Sequence, residues 1–574
     1  MMILVIGAVF GLAYAFTHRG SDRPTTDSWQ PVKVTTRPDG AADVKLGTNT
    51  AAALQLARIE GRQLLRSEAF IVGISMSVAI LVIFGVIWAS DSIGSENSWR
   101  AWLALLPAFS LPFAGLALVA VNLAALRARR DGAEELFSTL PVAEATRAVG
   151  HLGAMWMAFV VQALFVAVTV VEAVFVRRQF GTIDAASVGD VAVSFVLVAC
   201  ACALGVALAR WLPHPLVALA ALVVLGIGAS AIGAIGGKHW SLTRQLSIWP
   251  RYPDHDWIFA VRPTWWHALY LLALGVGVAV AAVARTRRDR PVAMIAAVVV
   301  VVAVVAAVAQ TRPMTERDAQ RIASMVADPE LHSDCRINDG LTLCAYRDYA
   351  DIIDLWSEEL TAPFAAVAPQ RRASGFTVLW REPSLDRLDP AVRRRIDIAA
   401  IAASREADPD TWNGVEIEGT EWSPVNRLAL GLWSVGLPLT AAADAPCYVG
   451  GQARGVVALW VAAQGQSVKA AERLVTGSWS GVDNSDNPYD LPVSWIDGYV
   501  WTGDRTPPAL WAATDLAAAR TLVGLEPAAV QDVLWADWPR WTDPATTTDE
   551  LMTALGQTAA GPVAGMPDGA RQCQ

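Results

Sequence analysis

The chain has 574 residues, 54% of them hydrophobic, with a formal net charge of −9 and a mean hydropathy of +0.37. That is too apolar for a soluble globular protein of ordinary charge content and points to a membrane class. The carboxyl-terminal part carries the acidity. Residues 311–574 hold 21 Lys and Arg against 36 Asp and Glu, a balance that argues against binding nucleic acid or an anionic membrane surface.

In chain order, the apolar residues form runs long enough to cross a hydrocarbon core of roughly 30 Å, which takes about 20 helical residues. The runs lie near 2–16, 69–89, 101–125, 152–176, 189–211, 215–236, 266–284 and 292–309. The first has no basic leader and no clear small-residue cleavage site, so it reads as a span rather than a signal peptide. After Gln310 no such run occurs, and the chain divides into a membrane half and a soluble half.

Ahead of the second run lies the stretch Leu54 to Glu68, LQLARIEGRQLLRSE. Leu54, Ala57, Gly61 and Leu65 keep helical spacing, and Arg58, Arg62 and Arg66 follow one residue later. Such a basic amphipathic helix suits the membrane interface; the simpler reading is a basic flank that stops a span. Asn122 and Gln162, inside apolar runs, read as hydrogen-bonding groups between helices. Between the third and fourth runs stands RARRDGAEELFSTLPV, Arg127 to Val142. It places six charges in nine residues, then an apolar patch, then Pro141, more than a simple turn requires.

Glu172 lies in the outer part of the fourth run, near Arg177 and Arg178. An ionisable group at depth is costly and often functional; near the interface it can snorkel instead. It is either part of a substrate path, a partner of Arg178, or an interface residue. Cys200 and Cys202, two apart on a helix, read as free thiols acting as small apolar residues. His214 reads as a turn residue. The stretch Trp240–Trp266 contains Trp249, Trp257, Trp265 and Trp266, which form either an aromatic belt or an exit gate for an amphiphilic substrate. His255 with Asp254 and Asp256 lacks a second His nearby, and no metal site is expected.

Lys and Arg set the orientation. The connections 17–68, 126–151, 210–214 and 285–291 hold 17 of them, against 7 in 90–100, 177–188 and 237–265. The first set is expected in the cytoplasm, with the amino terminus and residues 311–574 outside.

Four cysteines of the soluble half, Cys335, Cys344, Cys447 and Cys573, then read as two disulfides with three possible connectivities. Cys335 and Cys344 flank an Asn-Asp-Gly turn between β-type residues, which favours a local bridge and leaves Cys447–Cys573. Helices are expected near 352–368, 390–404, 452–474, 507–522 and 527–536, with strands near 335–346 and 375–381. This half holds thirteen Trp and a single His, His332, and its GSWSG (477–481) has Trp479 where a nucleophile elbow needs Ser. No enzyme motif stands out, and no phosphate-binding loop occurs; the nearest stretch, AIGGKH (234–239), has the wrong spacing.

The amphipathic stretch, the charged loop and six following spans together resemble the permeases of the ABC transporter superfamily, of the type-2 exporter kind. The family's interfacial elbow helix is matched by EGRQLLRSEAF, with Arg58, Arg62 and Arg66. Its coupling helix, of the form basic–Gly–x–Glu–x–Leu–x–x–x–Pro–Val, is matched by RRDGAEELFSTLPV. The resemblance covers about 50–285; the first run, the last run and residues 311–574 depart from it.

It implies a polytopic α-helical membrane protein of about eight spans, six of them an exporter core. The amino-terminal span and linker would occupy 1–48. The permease core would occupy 49–285, with an elbow at 50–68 and a coupling segment at 127–150. A last span at 286–310 would precede a mixed, mainly α extracytoplasmic domain at 311–574. Arg130, Glu134, Glu135, Leu136, Phe137 and Leu140 would meet an ABC ATPase, and Glu172, Trp249 and Trp257 would border the substrate path. ATP and Mg would sit on that partner and no cofactor on this chain. A second permease copy, or a related one, and membrane lipids complete the expected partners, in a bacterial cell membrane. Two rival classes remain. One is a polytopic membrane enzyme of the glycosyl transferase kind with Asp91 and Glu96 as its acids. The other is a membrane-anchored surface receptor or scaffold.

Overall fold

A computed structural model describes residues 46–89, 98–132, 144–177, 181–235, 263–286, 289–312, 315–381, 414–418, 423–437, 447–466, 471, 509–558, 561, 566 and 571–573. The chain forms two compact units. One comprises Met1–Ser90, Trp99–Gln179 and Ile183–Pro313; the other comprises Asp91–Ser98, Phe180–Thr182 and Met314–Gln574.

The first unit is helical throughout its described residues: α1 (Leu46–Leu64), α2 (Glu68–Ala89), α3 (Trp99–Arg130), α4 (Glu144–Gly153), α5 (Trp156–Glu172), α6 (Ala185–Trp211), α7 (Leu216–Ile235), α8 (Thr264–Ala284) and α9 (Arg290–Gln310). Five stretches are long and apolar enough to cross a membrane: Trp99–Arg130, Glu144–Phe175, Ala185–Trp211, Thr264–Ala284 and Arg290–Gln310. Several apolar helices of this length make a membrane-embedded helical protein. The bent pair α1–α2 is a sixth if taken as one span. The sequence implied about eight. The run at 2–16 lies outside the described residues, and the run at 215–236 forms the 20-residue apolar helix α7.

One buried cluster joins Leu64 of α1, Phe70 of α2, Phe113, Ala117 and Val121 of α3, Ala158 of α5, Val198, Cys202 and Val206 of α6, and Ala282 of α8. Polar side chains inside the bundle serve as the sequence suggested. Asn122 Nδ2 donates to the Gly205 carbonyl at 3.1 Å, joining α3 to α6. Gln162 Nε2 donates to Ser110 Oγ at 2.8 Å and Ser194 Oγ at 3.2 Å, tying α5 to α3 and α6. Cys200 and Cys202 are free thiols, and Cys202 is buried. By contrast α9 shows Met294, Val298, Val301 and Val305 outward, with only Ala306 and Gln310 buried. Such a surface suits lipid or another apolar helix.

The second unit is mixed. Strands β1 (Ser333–Asn338) and β2 (Leu341–Tyr346) form an antiparallel hairpin. Its turn residues Asp339 and Gly340 both have positive φ, 49° and 92°, as a primed turn requires. The helix α10 (Ile352–Ala366) then carries the chain to β3 (Phe376–Arg381), which pairs parallel with β2 and with β4 (Gly414–Glu418). A second sheet joins three two-residue strands, all parallel: β5 (Cys447–Tyr448) between β6 (Ala509–Leu510) and β7 (Arg571–Gln572). Every residue of α11 (Ala453–Ala463) is buried, so this apolar helix is a core element of the unit.

Further helices are α12 (Ser423–Ser434), α13 (Ala513–Val523) and α14 (Pro527–Ala536). An amphipathic helix at Glu316–Ala327, α12 and the second sheet were not expected from the sequence; the expected helix at 390–404 lies outside the described residues. Both expected disulfides are present. Cys335–Cys344 is a directly opposed cross-strand pair in the hairpin, and Cys447–Cys573 closes 126 residues of chain.

Candidate functional site

The expected coupling connection, 127–150, is shorter in the structure because helices reach into it from both sides. The helix α3 continues to Arg130, where Asp131 N donates to the Arg127 carbonyl and Gly132 turns with φ +66°. A glycine in the left-handed region is a common helix stop, since a Cβ there is strained. The helix α4 starts at Glu144. Arg130 is exposed at the end of α3. Glu134, Glu135, Leu136, Phe137 and Leu140 lie outside the described residues, as do Trp249 and Trp257.

What flanks the segment is described, and each flank is tied to another helix. On the near side, Arg127 Nη1 lies 3.5 Å from Glu60 Oε2 of α1. On the far side, Arg210 Nη2 at the end of α6 lies 2.8 Å from Glu144 Oε1, and Arg210 also donates to Thr286 Oγ1 at 3.4 Å, after α8. Each pair joins a shielded group to an exposed one, and the interest of both is geometric.

The helix α1 meets α2 at 61°, so the two do not continue one another. No proline makes the bend. Ser67 Oγ donates to the Leu64 carbonyl at 2.9 Å and accepts from Phe70 N at 3.4 Å, closing α1 and capping α2. Arg58, Arg62 and Arg66 are exposed. The buried face differs from the expected one. Ala57, Gly61 and Leu64 are buried, Leu65 is half-buried, and Leu54 is 57% exposed. The inward stripe is set by what α1 packs on, here Trp156, whose Nε1 donates to the Ala57 carbonyl at 3.4 Å. A Cβ on Gly61 would lie 2.7 Å from that Trp156 nitrogen, so the close approach needs glycine.

Glu172 is the last residue of α5 and half-buried. A turn of π-helix, Ala173–Arg177, follows it directly. Such turns are rare and recur at functional sites. The suggested partner Arg178 lies outside the described residues. At the start of α3, Arg100 grips Asp184 with Nε at 3.0 Å and Nη2 at 2.6 Å, and Asp184 also caps α6 through Ser187 N at 2.7 Å. Burial works against the Asp184 charge, yet the Ser187 hydrogen bonds and the Arg100 guanidinium outweigh it and hold this carboxyl below its usual range.

Three further polar residues escaped the sequence reading. Asp190 of α6, His267 of α8 and Gln310 of α9 are 1%, 1% and 2% exposed. His267 Nδ1 and Gln310 Oε1 are 2.9 Å apart, which suits a ring protonated at Nδ1. The signal was present, since Asp and His inside or at the lip of apolar runs are costly. Among the described residues no group of three or more His, Cys, Asp or Glu could hold a metal ion.

No family model, no curated protein and no solved structure matches this chain.

Proposed function

We propose that this chain is the transmembrane subunit of an ATP-driven ABC exporter that moves an amphiphilic or apolar substrate outward. It pairs with a second copy or a related permease and with two ATPase subunits in a bacterial cell membrane. The second unit is outside, and the connection 127–150 faces the cytoplasm. The observation that carries this reading is the tethering of that segment at both flanks. A lever must move other helices when pushed. Through Arg127 and Glu60 the near flank engages α1; through Glu144 and Arg210 the far flank engages α6. A helix seated in a groove of the ATPase, with Leu136, Phe137 and Leu140 inward and Glu134 and Glu135 toward basic groups, would then shift the bundle as a body when two nucleotide-bound subunits close. The chain has no phosphate-binding loop of its own, which fits hydrolysis by a partner.

The coupling test is co-purification of the ATPase, with ATP turnover measured in lipid nanodiscs. Phe137→Ala removes an anchor whose loss typically costs about 2 kcal/mol at an interface hot spot. Glu134→Arg with Glu135→Arg sets like charges against a basic groove. Either change should release the ATPase from an intact membrane dimer. An unchanged complex with unchanged turnover refutes the reading and favours a membrane enzyme.

Topology is tested separately with an impermeant maleimide on intact cells. Asp549→Cys should label and Asp131→Cys should not, because Lys and Arg divide 17 to 7 between the two sets of connections. Labelling at 131 overturns the map.

A further inference from the structure

The ion pairs at this end of the bundle leave positive charge over. Glu144 and Arg147 are three apart on α4 and share a face, so Arg210, bound to Glu144, stands beside Arg147. Arg210 also reaches Thr286, the neighbour of Arg285. Arg147 and Arg285 both lie within electrostatic reach of Arg210, and Arg127 joins Arg147 and Arg210 around the half-buried His151. Four guanidinium groups therefore gather at the ends of α3, α4, α6 and α8, and of these Arg127 is paired with Glu60 and Arg210 with Glu144.

Arginines do not crowd without an anion, because like charges close together and shielded from water repel strongly. The Arg210 side chain is only 11% exposed. The Nε–H groups of Arg147 and Arg210 are shielded from solvent and donate to no acceptor among the described residues. Buried donors without acceptors are costly, and an outside acceptor would relieve them. Trp211, next to Arg210, is exposed and donates from Nε1 to the Ala281 carbonyl at 2.9 Å. A tryptophan of this kind marks the headgroup level of a membrane.

We propose that Arg147, Arg210 and Arg285 form a binding site for a phosphate group, supplied by the headgroup of an anionic phospholipid. The guanidinium fork matches phosphate oxygens two at a time, and basic recesses between spans at headgroup depth hold anionic lipids in this way. The bound phosphate neutralises the surplus charge and bridges α4 to the ends of α6 and α8. This site does not depend on the transport reading.

The full chain is compared in nanodiscs of phosphatidylcholine alone and with added phosphatidylglycerol. The unfolding temperature is read, and retained lipid is counted by native mass spectrometry. Phosphatidylglycerol should raise the unfolding temperature and remain bound, and both effects should be lost in Arg147→Gln/Arg285→Gln. Inorganic phosphate, added in place of phosphatidylglycerol, should give no shift; a full shift there keeps the phosphate site but assigns it to a soluble ligand. An Arg62→Gln/Arg66→Gln pair removes the same charge from α1. Equal loss in that pair, or an undiminished lipid effect in the Arg147/Arg285 variant, overturns the site.

Discussion

Replacing Cys447 and Cys573 by serine is expected to destabilise the second unit by about 5 kcal/mol, the loop-entropy cost for a closed loop of this length. The bridge spans 126 residues of sequence, whereas Cys335–Cys344 spans 9, for which the same reasoning gives under about 3 kcal/mol. Packing widens the gap. Cys573 N donates to the Tyr448 carbonyl at 2.9 Å, and the Cys573 carbonyl accepts from Arg454 Nη2 at 2.7 Å and Gln452 Nε2 at 3.3 Å. Arg454 is 3% exposed, so a departing tail leaves a buried guanidinium without that acceptor. The hairpin bridge joins strands already held by a tight turn and a full ladder. Two units make one global unfolding energy ill-defined, so the measurement is pulse proteolysis of the full chain in nanodiscs, read at the second unit. An equal or greater loss for Cys335→Ser/Cys344→Ser would show that the long loop does not dominate.

A loss of about 3 to 5 kcal/mol is expected for Arg427→Met, the usual result of removing one partner from a buried ion pair. Arg427 of α12 and Glu359 of α10 have side chains 7% and 9% exposed, with Nε 3.1 Å from Oε1. Arg427 Nη1 also donates to the Gln464 carbonyl at 2.7 Å, just past α11, so one guanidinium gathers three helices. Glu359 Oε2 is buried with no partner among the described residues. Burial dominates the titration of Glu359 and pushes its carboxyl above the usual range, opposed by the Arg427 charge and hydrogen bond. A raised folded-state value favours the protonated form in the folded chain. Its contribution is therefore fully present below the ordinary carboxylate range and is lost as pH rises through the folded value. The deficit of Arg427→Met should accordingly shrink on acidification. Adding Glu359→Leu should restore most of the stability at neutral pH, since a well-packed apolar pair often replaces a buried ionic one without loss. A deficit that is independent of pH, or a double variant no better than the single, would refute the account.

The sequence alone determined the features that depend on neighbours in the chain. Apolar runs at 101–125, 189–211, 266–284 and 292–309 became helices because about 20 apolar residues in succession have few alternatives in lipid. The Cys335–Cys344 bridge was legible because its turn lies between its own cysteines, and Cys447–Cys573 followed by elimination. Asn122 and Gln162 could be read as links between helices, because a lone amide in an apolar run must find a partner in the protein.

What depended on distant residues was decided only in three dimensions. The three-stranded sheet consists of two-residue strands at 447, 509 and 571, too short for a periodic pattern and meaningful only when side by side. The inward face of α1 turned to Leu64 rather than Leu54 because Trp156, far along the chain, takes the place beside Gly61. Nothing local in the sequence indicated that Arg127 would meet Glu60 or that Glu144 would meet Arg210. An arginine looks the same in sequence whether it faces water, an acid or another arginine. Only the packing of α3, α4, α6 and α8 brings four of them to one end of the bundle, because charge is a property of a residue and its partners are a property of the fold.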